Sequence, residues 1–215
     1  MTPRARNAGR LGLALAVVIF VACLVVSLAF GPASLPLEKL FEYVGAGPGT
    51  SEPGGVIFWQ IRLPRVLLAF LVGAALSAAG VILQDLFLNP LTDPYVTGVS
   101  SGAALGATFG IVLNLAQLPW VTLFALVGGF VTLAVVWVAA QRRGRIDIYV
   151  LLLAGVTISY LVTAVISVMM IRAGEDMHAI VYWLLGSFSA RGWQDVEVAL
   201  FALPFMVVPI FFTEE

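Results

Sequence analysis

Two arginines, Arg62 and Arg65, stand at the start of a long apolar run in the stretch FWQIRLPRVLLAFLVG. A guanidinium carries five N–H donors in a planar fork and can bind a carboxylate through two parallel hydrogen bonds. Because arginine is unfavourable inside lipid, we expect the pair at a membrane surface. There it either snorkels to lipid headgroups or meets the carboxylates of a partner. The residues alone leave both alternatives open.

Other reactive side chains form no recognisable catalytic or metal-binding pattern. His178, the only histidine, stands beside Glu175 and Asp176 between two apolar runs, where a solvated turn is the simpler interpretation. Ser101 has no histidine base nearby in sequence, and the single cysteine, Cys23, cannot form an internal disulfide. The sequence has neither a phosphate-binding loop nor a dinucleotide-binding fingerprint after a strand. We therefore predict a non-enzyme that holds no metal and no cofactor of its own.

The composition predicts an integral membrane protein. Of the 215 residues, 61% are hydrophobic and 11% are charged, and the mean hydropathy is +1.05. Soluble domains carry about 25% charged residues, and a spanning helix takes roughly 20 mostly apolar ones. We predict an all-α, polytopic membrane helix bundle that forms a single domain over residues 1–215. Its six predicted spans are Leu11–Phe30, Leu63–Leu83, Tyr95–Leu115, Val121–Ala140, Tyr149–Ile171 and Val196–Phe212.

The shorter segments are predicted to lie at the membrane surface. LEKLFEYV, within the Gly- and Pro-rich loop 31–61, predicts a short interfacial helix, and EDMHAIVYWLLGSF, after the fifth run, is too short to span. The first run is longer than the apolar part of an ordinary signal peptide, which favours a retained span over a cleaved leader. Between the second and third runs the residues before prolines are biased away from helix. We predict a structural turn there, formed by Asn89, Pro90, Asp93 and Pro94.

The basic residues weakly indicate which side of the membrane each end of the bundle faces. Six of the 11 precede the first and fifth runs: Arg4, Arg6, Arg10, Arg142, Arg143 and Arg145. With six spans these clusters fall on one side, which the positive-inside rule makes cytoplasmic. We therefore predict a cytoplasmic N-terminus, with Arg62 and Arg65 on the external side.

Small residues recur at helical spacing along the second and third runs. Glycine appears every four residues in the third run, and GAALSAAG supplies a second set in the run before it. In lipid, apolar burial does not drive helix association, so small residues that let backbones approach mark helix–helix contacts. We predict helix packing, rather than ligand binding, for Gly73, Gly80, Gly98, Gly102, Gly106 and Gly110.

Several of these motifs, in this order and spacing, resemble the FecCD-type permease subunits of bacterial ABC importers for iron–siderophores, haem and cobalamin. The motifs are RLPR, GAALSAAG, Gln84, NPLTDP and GVSSGAALGA, followed by LLLAGVTIS and YWLLGSFSARGWQDV. The resemblance runs from about Phe58 to Pro204. It implies a plasma-membrane core of two permeases with about ten spans each. Two cytoplasmic ATPase subunits, which use the ATP, would drive it, and an external binding protein would deliver the ligand.

The chain stops at VVPIFFTEE, at the end of its sixth predicted span. By the resemblance it corresponds to the first part of a ten-helix permease, without the coupling helices and four further spans. We expect a truncated gene product, an interrupted reading frame or one piece of a split subunit. The alternatives are an inert fragment and a self-contained secondary carrier or channel. A carrier would need ionisable groups inside the membrane, and the predicted span interiors are almost free of charge.

The resemblance also assigns roles to residues of this chain. It implies that Arg62 and Arg65 dock acidic residues of the binding protein, and that Ile148 and Tyr149 lie near a cytoplasmic gate. The fifth span would line the translocation path. Its polar residues are Thr157, Ser159, Tyr160, Thr163 and Ser167, although helical hydroxyls also bond their own backbone. Iron–siderophore is the first expectation for the ligand, a choice that rests on the breadth of the family alone.

Overall fold

The computed structural model describes residues 3–31, 33, 35–90, 92–115, 118–142 and 144–207. Over these residues the chain is a helical bundle, as predicted. The α-helices are α1 (Pro3–Ala29), α2 (Leu37–Ala46), α3 (Pro53–Val56), α4 (Leu63–Leu86), α5 (Val99–Val112), α6 (Leu118–Ala140), α7 (Ile148–Arg172), α8 (Met177–Leu185) and α9 (Trp193–Val207). A π-helix (Ile57–Arg62) joins α3 to α4, and a 3₁₀ turn (Gly174–Asp176) precedes α8.

Four helical segments are long and apolar enough to cross a membrane within the described ranges: Arg10–Ala29, Pro53–Leu86, Trp120–Ala140 and Ile148–Arg172. They overlap the first, second, fourth and fifth predicted spans, although the second segment begins at Pro53 and not at Leu63. The sixth prediction begins within α9, but residues 208–212 lie outside the described part of the chain. The two segments predicted to stay at the surface form α2 and α8, both too short to span.

The third predicted span, Tyr95–Leu115, is wrong in its bounds, because α5 has only 14 residues. At its start, the Asp93 carboxylate accepts hydrogen bonds from the N–H groups of Tyr95 and Val96, which holds a turn ahead of the helix. At its end, Asn114 adopts a left-handed φ of 56°, and the N–H of Leu115 donates to the carbonyl of Gly110 at 3.0 Å. This bonding pattern terminates helices.

A π-helix lies near the start of the longest described helical run. Pro64 would suit the first turn of a helix, where its missing N–H is harmless. Instead the helical run begins at Pro53, so Pro64 is internal and fully buried. An internal proline removes one i→i−4 hydrogen bond and its ring clashes with the carbonyl four residues earlier, here that of Gln60. The wider turn accommodates the ring, and the N–H of Leu63 reaches the carbonyl of Phe58 instead.

The chain divides into two compact units. The first contains Met1–Ala74 and Phe188–Phe205. In it α1 contacts the first half of α4 through Phe20 and Phe70, whose ring centroids are 5.2 Å apart. One apolar cluster joins Leu35, Tyr43 and Phe58, and a second joins α4 to α9 through Leu68, Leu71 and Val196.

The second unit contains Ala75–Ser187 and Met206–Glu215. Its core joins α5, α6 and α8 around Ala107, Ala125 and Ile180. A second cluster packs Val136 at the end of α6 against Leu151 at the start of α7. Two short antiparallel strands, β1 (Gln141–Arg142) and β2 (Arg145–Ile146), join α6 to α7.

Candidate docking and translocation surfaces

Arg62 is the last residue of the π-helix, and its side chain is turned into the protein. Only 7% of its surface is exposed. Nη1 donates to the carbonyl of Leu28 at 2.5 Å, and Nη2 donates to the carbonyl of Ala33. A Cβ atom added at Gly31 would lie 2.9 Å from Nη2, so the guanidinium packs closely against this glycine. Arg62 therefore ties the end of α1, and the residues after it, to the start of α4.

Arg65 has a different environment although it lies only one turn further on. Its side chain is half-buried, and its Nε–H is buried without a hydrogen-bond partner among the described residues. The i, i+3 spacing suggested that both guanidiniums are presented on one face. In the structure one of them, Arg62, is hydrogen-bonded to the end of α1. The docking role of the pair stays a prediction.

The polar residues of α7 return most of their hydrogen bonds to their own helix. The hydroxyls of Thr157, Thr163 and Ser167 donate to the carbonyls four residues earlier, at 2.7, 2.8 and 2.9 Å. These three residues are exposed, as is Tyr160 at 75%. The exposed positions of α7 therefore form a weakly polar strip, with hydroxyl oxygens that retain acceptor capacity.

Ser159 differs because its hydroxyl meets another helix. Its Oγ lies 3.2 Å from the Oγ of Ser101, which also donates to the carbonyl of Gly98 at 2.8 Å. This places Ser159 at the contact between α5 and α7, while the neighbouring hydroxyls face outward. The five predicted path residues therefore do not share one environment, and their role in transport is untested.

The predicted gate residues are the first two residues of α7. Ile148 and Tyr149 are both exposed, Tyr149 at 85%. The Asp147 carboxylate caps the helix by accepting from the N–H groups of Tyr149 and Val150 at 3.0 and 3.2 Å. We did not predict this cap, although an aspartate immediately before an apolar run is the ordinary signal for one. The gate assignment stays a prediction.

The glycines of α5 allow its backbone to touch α6. A Cβ atom at Gly106 would overlap the carbonyl of Phe124, and one at Gly102 would lie 2.6 Å from the carbonyl of Gly128. Gly98 adopts a φ of +79° as it starts the helix. Gly110 sits at ordinary contact distance from Val121. Close packing along α5 is thus present in the geometry.

Gly73 and Gly80 are not close-packed in the described chain, because an added Cβ atom would meet nothing within 4 Å at either position. Two other glycines, which we did not single out, make closer contacts. Gly128 of α6 faces the carbonyl of Gly102, and Gly155 of α7 faces that of Val96. The Gly128–Gly129 pair was visible in the apolar run, but nothing in the sequence showed which helix it would meet.

Hydrogen bonds connect described residues in and next to the NPLTDP segment, for which we predicted a turn. The N–H of Thr92 donates to the carbonyl of Asn89 at 3.2 Å, and the hydroxyl of Thr97 donates to the carbonyl of Pro94 at 2.9 Å. No group of three or more His, Cys, Asp or Glu side chains that could hold a metal occurs in the described ranges. His178 and Glu175 are exposed.

Comparison with known proteins identifies the fold and the family. The model of the FecCD transport family matches residues 19–215. The chain belongs to the FecCD transport family. The membership inferred from the signature motifs is therefore confirmed.

Relatives of this FecCD chain include permeases named for different cargoes. It is 39% identical to the cobalamin import system permease protein BtuC of Halobacterium salinarum, over 71% of this chain and 41% of the relative. It is 34% identical to the molybdate import system permease protein MolB of Haemophilus influenzae, over 88% and 57%. With YvrB of Bacillus subtilis, an uncharacterised ABC transporter permease, the identity is 38% over 91% and 56%.

A solved structure shares the fold. It is described as an inward-facing conformation of a transporter assigned to the metal-chelate ABC type, and it superposes with a TM-score of 0.69 at 34% identity. The match covers 92% of this chain and 57% of the solved one. The chain spans about half the length of the curated relatives it matches.

Proposed function

We propose that this chain is part of the permease of an ATP-driven importer that carries a metal chelate, with an iron–siderophore as the first candidate. The match of the transport family over residues 19–215 carries the proposal. The names of the relatives support import as the direction of transport, and the cargoes in those names differ. The choice of iron–siderophore rests on the breadth of the family alone.

In this proposal the chain hydrolyses no substrate and forms part of the wall of the translocation path. The spans Trp120–Ala140 and Ile148–Arg172 contain one charged side chain, Arg172, at the very end of the second. A carrier driven by protons or ions uses ionisable groups within its spans. We therefore place the energy source in partner ATPase subunits that bind ATP, in a plasma-membrane assembly whose N-terminus is cytoplasmic. A second permease subunit would complete the path.

We assign the exposed strip of α7 to the translocation path, with Ile148 and Tyr149 at its cytoplasmic gate. The strip supports this role because the hydroxyls of Thr157, Thr163 and Ser167 are already bonded to the helix backbone. Such a wall offers hydroxyl oxygens without strong donors, so a bulky chelate can pass without being trapped. Ser159 would hold α7 against α5 and would not touch the cargo.

We assign docking of an external binding protein to Arg65, with Arg62 as the residue that positions it. The Arg65 side chain is half-buried, whereas Arg62 is buried and bonded to two carbonyls within the chain. Charge reversal at Arg65 is expected to weaken binding-protein affinity in low salt, where surface ion pairs are least screened. The same affinity after Arg65→Glu would contradict this assignment.

The decisive experiment measures uptake in cells that lack the gene and in cells to which it is restored. Radiolabelled ferric siderophore, cobalamin and molybdate are offered separately, with a proton uncoupler in one arm and ATP depletion in another. We expect restored uptake of one cargo class, lost on ATP depletion and retained with the uncoupler. Uptake that stops with the uncoupler while ATP remains high would favour a secondary carrier and would overturn the proposal.

A further inference from the structure

The apolar surface of α2 is only half covered by the protein. Around the helical wheel, at 3.6 residues per turn, its side chains follow the order Tyr43, Leu40, Val44, Phe41 and then Glu38. Tyr43 is buried and Leu40 packs beside it in the cluster with Phe58. Phe41 is 85% exposed and Val44 is 55% exposed. The two form one continuous apolar strip, which is bordered by an acidic face.

The orientation of this open strip is fixed by contacts on the other side of α2. Trp59 Nε1 donates to the carbonyl of Tyr43 at 2.7 Å. The Tyr43 ring lies directly on Gly54, where an added Cβ atom would overlap it. Lys39 pairs with Glu52 at 3.3 Å, and this hydrogen bond raises the pKa of the Lys39 ammonium. The helix therefore cannot simply roll to hide Phe41.

The height of α2 relative to the membrane follows from the helix to which it is bonded. Leu63–Leu86 has 24 residues and is roughly 36 Å long, enough to fill a hydrocarbon core of about 30 Å. The turns before Leu63 then lie in the headgroup region. The aromatic side chains agree, since Trp193 Nε1 donates to the carbonyl of Trp59 at 2.9 Å and tryptophan concentrates at membrane interfaces.

We propose that α2 is an interfacial anchor whose open strip, Phe41 and Val44, is seated in the lipid bilayer. Its partner is the boundary between headgroups and acyl chains, at the membrane surface where α1 ends and α4 begins. Glu38 and Glu42 stay in water on the acidic face that borders the strip. Because α2 carries two glutamates and one lysine, the attraction comes from apolar area and needs no anionic lipid.

The test measures depth with a nitroxide spin label in the full chain, reconstituted in zwitterionic phosphatidylcholine vesicles. Cys23 is exposed and is first replaced by alanine, and then Phe41→Cys and Glu42→Cys are labelled separately. Neighbouring positions lie close together along the helix axis but point about 100° apart around it. We expect the label at position 41 to collide several-fold more often with oxygen, relative to a water-soluble nickel chelate, than the label at position 42.

Two results would overturn the anchor. Equal, water-like collision ratios at both positions would show that the strip is solvated. Low access of both reagents to position 41 would show that protein, such as a second copy or a docked partner, covers the strip instead of lipid. If labelling position 41 prevents insertion, Val44→Cys carries the same comparison, because it lies on the same strip and is expected at the same depth.

Discussion

Replacing Arg62 with methionine is expected to loosen the joint between the end of α1 and the start of α4. The guanidinium donates to the carbonyls of Leu28 and Ala33, and each hydrogen bond from a charged group contributes about 1.5–3 kcal/mol. Methionine resembles the apolar stem and donates nothing, so both bonds are lost. Removing a buried charge returns part of that energy. We expect a net loss of about 2–3 kcal/mol, which is roughly a 30- to 150-fold increase in local opening.

Hydrogen exchange by mass spectrometry, in lipid nanodiscs, measures this opening directly. The reporters are the amides of Phe30 and Leu35, which donate to the carbonyls of Val26 and Ala29 at 2.8 and 3.2 Å. Peptides that contain them should exchange faster in Arg62→Met, while peptides from α6 should not change. Arg65→Met is the matched control, because the Nε of Arg65 has no hydrogen bond to lose.

The conservative variant separates charge from hydrogen-bond geometry. Arg62→Lys keeps the charge but replaces a planar fork by a single ammonium, so it should give an intermediate exchange rate. Equal exchange in Arg62→Met and Arg65→Met would refute the reasoning. It would show that the two carbonyls find other donors and that Arg62 does not hold the joint.

Three further changes test other contacts. Gly106→Ala forces a methyl group onto the backbone of α6. It should lower the free energy of unfolding, measured in a detergent titration, by about 1–3 kcal/mol. Gly80→Ala, which adds its methyl group in open space, should not lower it. Asp147→Ala removes the cap of α7 and should cost about 1 kcal/mol, seen as faster exchange in its first turn; Asp147→Asn should restore protection. Trp193→Phe loses the bond to the carbonyl of Trp59 and should lower the unfolding temperature by the equivalent of about 1 kcal/mol, and an unchanged temperature would contradict that role.

The existence of most spans could be predicted from the sequence because each needs only length and apolar composition. Residues 11–30 and 121–140 show this, since both runs could be recognised without knowing which helices they contact. The bounds of α5 could not be predicted in the same way. Its length is set by the Asp93 turn and by the left-handed Asn114, and both lie inside a run that remains apolar on average. The mean hydropathy of the run therefore does not reveal the individual residues that end the helix.

The candidate sites were less predictable because their properties depend on contacts between distant residues. Arg62 bonds a carbonyl 34 positions earlier in the chain, and no local spacing indicates such a bond. The same holds for Gly155, whose neighbour is the carbonyl of Val96. Composition and motif order identify the family, and the family suggests roles. Which donors remain available for those roles is decided by tertiary packing.

The availability of donors bears directly on the two arginines of the RLPR motif. Because only 7% of Arg62 is exposed, its guanidinium would have to leave the carbonyls of Leu28 and Ala33 to meet a partner's carboxylate. The new ion pair would therefore have to exceed the energy of two charge-assisted hydrogen bonds. The Arg65 side chain is only half-buried, so its exposed part can meet the same carboxylate without breaking the bonds that Arg62 would lose. The spacing of the motif thus places a fixed, buried guanidinium one turn before a half-exposed one. Charge reversal at Arg65 should then weaken docking without changing exchange near Leu35, whereas reversal at Arg62 should change both.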